Sequence, residues 1–199
     1  MNFNLITTAL STLIYMTVLL GALAGVAPLR KLVPVAKPAH SASAGCLPSR
    51  DGFMRARLRG ESDTTIDWTD ADMQCDGGPR PDASGVRVTF AGHLPDGHAV
   101  RLVFGIAAPL TTSAARNVPT NVTVIFEDQQ KLYSTAGDGK CTIDDLAMQP
   151  RPAQHSDSWR RVVARGFCTL PVAAVAGSDA LILDRFDFAG GLRDEEELR

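Results

Sequence analysis

From residue 46 onward the chain alternates apolar and polar residues with a period of two. Met54, Ala56 and Leu58 alternate with Arg55, Arg57 and Arg59, and Ile66 and Trp68 flank Asp67. Val86, Val88 and Phe90 alternate with Arg87 and Thr89, while Val100, Leu102, Phe104 and Ile106 make the longest alternating face. Val122, Val124 and Phe126 follow, and then the runs 131–135, 141–146, 162–168 and 181–188. Successive side chains on a strand point to opposite faces, so this period predicts half-buried strands. Between Leu183 and Phe186 the alternation slips by one, as a β-bulge causes. Turn chemistry separates the runs at 60–63, 77–82, 95–97 and 137–139. No stretch after Cys46 keeps a helical period. The pattern predicts an all-β domain, an antiparallel β-sandwich or a partly open barrel.

Before this domain lies a different pattern. Residues 5–29 run from Leu5 to Leu29 without a charge, and Arg30 and Lys31 follow directly. A run of that length serves as an export signal or spans a bilayer. The segment 1–29 is therefore read as a signal peptide or signal anchor, with membrane anchoring through residues 5–29 left open. The charges sit on the wrong side for an ordinary secretory signal, and by the positive-inside rule they favour a cytosolic domain. A start at Met16 would alter the count of flanking charges. Small-residue cleavage signals occur at Ala22-Leu23-Ala24 and Ala42-Ser43-Ala44. Residues 30–45 form a Pro-, Ala- and Ser-rich spacer, 46–190 the folded domain, and 191–199 a charged C-terminal tail.

The cysteines argue for export. All four lie in the β-rich part, at 46, 75, 141 and 168. An even number suits an oxidising compartment, periplasmic or extracellular. If strand 53–59 pairs with strand 64–70 across the 60–63 turn, Cys46 falls opposite the neighbourhood of Cys75. Neighbouring strands 141–146 and 161–168 would bring Cys141 to Cys168. Of three connectivities, Cys46–Cys75 with Cys141–Cys168 is favoured. Ser43-Ala44-Gly45-Cys46 also has a distant likeness to a lipid-attachment site, which would use Cys46 differently.

Composition narrows the function classes. The leader and spacer hold three basic residues and no acidic ones, which leaves 17 basic against 22 acidic in the remainder. A mildly acidic domain is a poor nucleic-acid binder. No Cys-x-x-Cys pair and no phosphate-binding glycine loop occurs, so no cofactor or metal is expected.

Several groups could carry chemistry. His93, Asp96 and His98 flank one tight turn and could hold a metal, though a solvated hairpin tip is the simpler reading. Asp138, Asp144 and Asp145 surround Cys141 without the spacing of a calcium loop. Ser134, His155 and Asp157 supply a nucleophile, a base and an acid, but no nucleophile elbow frames the serine. Asn121-Val-Thr123 fits a glycosylation acceptor inside an expected strand. Arg55, Arg57 and Arg59 could meet an anionic surface or simply solvate a strand face. Two long loops, 107–121 and 147–159, are the better candidates, because long loops commonly bind. They nominate Arg116, Asn117 and Trp159 as binding residues, with core packing at the start of strand 160–168 the alternative for Trp159.

The stretch from Asp51-Gly-Phe-Met-Arg-Ala-Arg-Leu58 to Cys75-Asp-Gly77 belongs to a wider pattern. It continues through Asn121-Val-Thr-Val-Ile-Phe126, Gly139-Lys-Cys-Thr-Ile-Asp144 and Arg165-Gly-Phe-Cys168. This pattern resembles uncharacterised exported β-sandwich proteins of Gram-negative bacteria. The resemblance implies an extracytoplasmic β-sandwich and brings no catalytic residues. The sequence thus favours a non-enzymatic envelope protein that binds a partner or small ligand through its long loops. An extracytoplasmic hydrolase using loop Asp and His residues is the alternative.

Overall fold

The computed structural model describes residues 46–60, 63–150 and 159–193. The leader, the spacer and its cleavage signals lie outside the described residues, as do His155, Asp157 and residues 194–199. Among the described residues twelve strands form one antiparallel sheet: β1 (Phe53–Gly60), β2 (Thr64–Thr69), β3 (Met73–Pro79), β4 (Val86–His93), β5 (Ala99–Ile106) and β6 (Ala114–Ala115). The second half supplies β7 (Val118–Phe126), β8 (Lys131–Ser134), β9 (Cys141–Pro150), β10 (Trp159–Cys168), β11 (Val172–Ala174) and β12 (Ala180–Arg193). No helix is present among the described residues, so the domain is all-β as the alternation predicts.

Hairpins β3–β4–β5 lead into β7, which takes β9 along its first residues and β8 along its last. On the far side, β12 carries β1 along one edge and β10 and β11 along the other. The sheet therefore splits between β7 and β12 into two branches, β9–β10 and β8–β11. Beyond β1 lies β2, in the register expected across the 60–63 turn, with Phe53 opposite Thr69. The sheet rolls until β3 comes against the end of β12. A Cβ added at Gly77 would lie 2.4 Å from the Gly191 carbonyl oxygen, so only glycine permits that approach.

The rolled sheet encloses one core. Its centre is four phenylalanines: Phe104 lies 4.9 Å from Phe186 and 4.8 Å from Phe188, and Phe90 lies 5.0 Å from Phe188. All four are closed off from water. Trp68 caps one side of the core, its Nε1–H donating to the His93 carbonyl at 2.8 Å.

Both disulfides are those the strand registers predict, Cys46–Cys75 and Cys141–Cys168. The second joins residues directly opposite on β9 and β10. The first forms by a different route. The chain turns at Asp70–Asp72, so Cys75 sits on β3 and not on an extension of β2. Cys46 is instead brought over by Asp70, whose Oδ1 accepts from the backbone N–H groups of Cys46 and Leu47. Because its sulfur is bonded to Cys75, Cys46 is not open to lipid attachment.

Four expectations need correction. The turn expected at 77–82 is strand as far as Pro79, because Gly77 serves the close crossing with β12 and breaks no strand. The structureless loop expected at 107–121 is much shorter. Ala114–Ala115 pairs with β9, and β7 already begins at Val118, where Pro119 and Thr120 are in register with Thr142 and Cys141. The loop expected from 147 likewise begins later, because β9 continues to Pro150. At the C-terminal end, β12 continues past residue 190 to Arg193, with Leu192 fully buried.

Candidate functional site

Five neighbouring strands carry one row of alternating charge on their outer face. In register from β2 to β9 stand Asp67, Arg55, Asp187, Arg165 and Asp145. Arg55 Nε lies 3.1 Å from Asp67 and its Nη1 3.8 Å from Asp187, while Arg165 lies 3.5 Å from Asp145. Antiparallel strands put directly opposite side chains within reach of each other, so the row follows from register alone. Next to it, Arg57 pairs with Asp63 and Arg59 with Asp184.

Two bulges interrupt this face. On β12, Ala56 faces Phe186 while Leu58 faces Leu183, so Asp184 and Arg185 together oppose Arg57. This is the slip read from the sequence. On β9, Arg165 faces Asp145 while Gly166 faces Ile143, which leaves Asp144 as the extra residue. A bulge turns two successive side chains toward one face. Asp144 and Asp145 are accordingly both exposed, and Asp184 and Arg185 both escape the core. Between the bulges runs β10, with Arg165 and Phe167 outward and Gly166 inward. A Cβ on Gly166 would meet the Thr142 carbonyl oxygen at 2.3 Å and the Phe186 ring at 2.7 Å. Glycine is what lets the β9 bulge close against β10.

The result is a groove of about 640 Å³ between the bulges, lined by Arg116, Asp144, Asp145, Arg165, Phe167, Asp184 and Arg185. A second hollow of about 380 Å³ continues over β12, β1 and β2 and shares Arg165 and Arg185. Most charges on this face have partners. Arg116, Arg185 and Asp144 have none among the described residues. Phe167 lies among them with 38% of its surface exposed.

Of the residues nominated from sequence, Arg116 is in this groove. It follows β6, which β9 holds in place beside Asp145. Asn117 takes a left-handed backbone (φ 53°) at the turn into β7 and does not line the groove. Trp159 opens β10 opposite Arg193, at the other end of that strand from Phe167. In the alternation pattern Arg165, Phe167, Asp184 and Arg185 read as ordinary strand residues. The slip at 183–186 was the one available signal for the last two.

The other candidates disperse. His98 bonds through Nδ1 to Asp128 on the neighbouring hairpin tip. That hydrogen bond, then the carboxylate charge, raises the His98 pKa above its usual value, and the same bond lowers that of Asp128. Asp138 is held by Arg80 at 3.2 Å, away from Asp144 and Asp145. Ser134 Oγ accepts from the Ala136 N–H, closing a local turn. Asn121 and Thr123 stand half-buried within β7. Among the described residues no three His, Cys, Asp or Glu side chains gather as metal ligands would.

No family model, curated protein or solved structure matches the chain.

Proposed function

We propose that this protein is an exported, non-enzymatic binding module of the bacterial envelope, periplasmic or secreted. It takes a partner or small ligand in the groove between the β9 and β12 bulges. The observation that carries the reading is the set of unpartnered charges, Arg116, Arg185 and Asp144, placed around an exposed phenylalanine on a face whose other charges are paired. A concave surface with a few convergent polar groups and an aromatic is the usual form of a ligand site. The two disulfides fit export, since such bonds persist in oxidising compartments. A hydrolase has no comparable support among the described residues. Ser134 is engaged by its own turn, and no serine or cysteine side chain bonds to His98 among the described residues.

The test is capture of envelope components on the immobilised protein, analysed for proteins and solutes by mass spectrometry. A double variant, Arg116→Ala with Arg185→Ala, should lose the captured species. Arg101→Ala, which breaks the pair between Arg101 on β5 and Glu127 in the turn after β7, should keep it. Equal capture by the double variant and the parent protein would overturn the groove as the binding site.

A further inference from the structure

We infer that the groove recognises an acidic oligosaccharide, a chain of sugars carrying carboxylates such as a uronic acid polymer. This rests on the groove being the binding site. Three properties lead to it. First, the charge left over after pairing is two guanidinium groups against one carboxylate, which favours an anion. A guanidinium presents planar, forked donors that match a carboxylate in a bidentate fashion. Arg116 and Arg185 have those donors uncommitted.

Second, Asp144 must be satisfied by donors. An ionised carboxylate only accepts hydrogen bonds. An acidic peptide or a nucleic acid would set like charge against Asp144, and its N–H donors lie on backbone amides or bases rather than in a rim of hydroxyls around each unit. A sugar offers both parts, with hydroxyl donors for Asp144 and a carboxylate for an arginine.

Third, Phe167 stands between the two arginines with its ring partly open. Aromatic faces carry negative quadrupole density that attracts polarised C–H groups. The C–H face of a pyranose is flat and suits that surface, while its rim of hydroxyls remains free for the flanking charges.

The layout fits a chain better than a single unit. The lining residues come from the β6–β7 turn, β9, β10 and β12. At the usual strand spacing of roughly 4.8 Å they extend over about 14 Å across the strands. The adjoining hollow over β12, β1 and β2 prolongs the track through Arg165 and Arg185, where the charged row offers alternating donors and acceptors.

The experiment is isothermal titration of the purified protein with three probes at 0.15 M salt, where surface charges are screened beyond about 8 Å. The probes are tetragalacturonic acid, the same tetramer with its carboxyls reduced to alcohols, and hexaglutamate. Saturable binding is expected for the uronate alone. It should weaken at least tenfold in Arg185→Ala and in Phe167→Ala, with Arg116→Ala as a second variant on a separate element. Thermal melts check that each variant folds. Equal binding of the reduced tetramer, equal or tighter binding of hexaglutamate, or full affinity in both Arg185→Ala and Arg116→Ala would overturn the inference. If none of the probes binds while envelope capture still depends on Arg116 and Arg185, the saccharide class falls and the binding groove stands. If capture is insensitive as well, both fall.

Discussion

On β12 the inward side chains Leu181, Leu183, Phe186 and Phe188 are closed off from water, while Arg185 and Asp187 of the same strand face solvent. The inner region is held by area and shape. Its four rings touch one another across β4, β5 and β12, so each depends on the others' positions. The outer region is held by register. Its charges meet because the backbone ladders place them opposite one another, and every pair there is at least partly in water. Strands with such a core can vary their outer residues at little cost, which leaves that face free to be shaped for binding.

The sharpest way to break this contrast is Phe104→Ala. Truncating a ring packed on three others should cost about 3–5 kcal/mol, read from denaturant melts. A loss below about 1 kcal/mol would mean that the rings do not act as one cluster. Gly166→Ala tests the seam between the two regions. The added methyl meets a backbone carbonyl, which cannot step aside as a side chain can. A cost of about 1–3 kcal/mol is expected, together with altered amide chemical shifts in Asp144, Asp145 and Phe167. An unchanged melt would show that the β9 bulge has slack.

Arg55→Ala probes the outer row directly. Exposed ion pairs contribute little, so the loss should lie within about 0–1 kcal/mol and shrink further in 1 M salt. A loss above about 2 kcal/mol would make the row a coupled network. The smallest effect concerns pH. The raised pKa of His98 adds stability that is present in full below its unfolded value, 6.5, and fades as pH climbs through the higher folded value. The lowered pKa of Asp128 adds stability above 3.8 that fades as pH falls through the lower folded value. The melting difference between the parent protein and His98→Gln should therefore be greatest near about pH 4–6 and decline toward alkaline pH. A difference that grows with pH would contradict the assigned pairing.

Much of the fold was legible because burial enforces alternation. Wherever one face of a strand meets the core, as in Val100–Ile106, the apolar residues appear at every second position. Where burial acts through the backbone, the pattern is silent. Gly77 of β3 looks like a turn residue because its role is to let β12 come close. β6 and β11 are too short to show a period. The groove was less legible still. Arg116 stands out because it falls in the long stretch 107–121, but its groove neighbours Arg165 and Arg185 belong to strands whose adjacency only the pairing reveals. Asp144-Asp145, two polar residues in succession inside an alternating run, and the slip beside Asp184-Arg185 both marked bulges. Neither says which way its neighbours lean.

The position of β12 has a consequence for how the molecule is made. This last strand pairs with β1, β10 and β11, and its end touches β3. A chain emerging from its N-terminus has β1 and β2 available early, but the strand that joins them to the rest arrives at the end. Contacts of such long sequence separation slow folding, since the intervening chain must be closed into a loop first. Until residues 180–193 are delivered, the phenylalanines of β4 and β5 lack the two rings that cover them. The domain should therefore remain open for most of its synthesis and lock only when β12 docks. Pulse proteolysis of chains truncated before and after β12 would show that step as an abrupt gain of resistance.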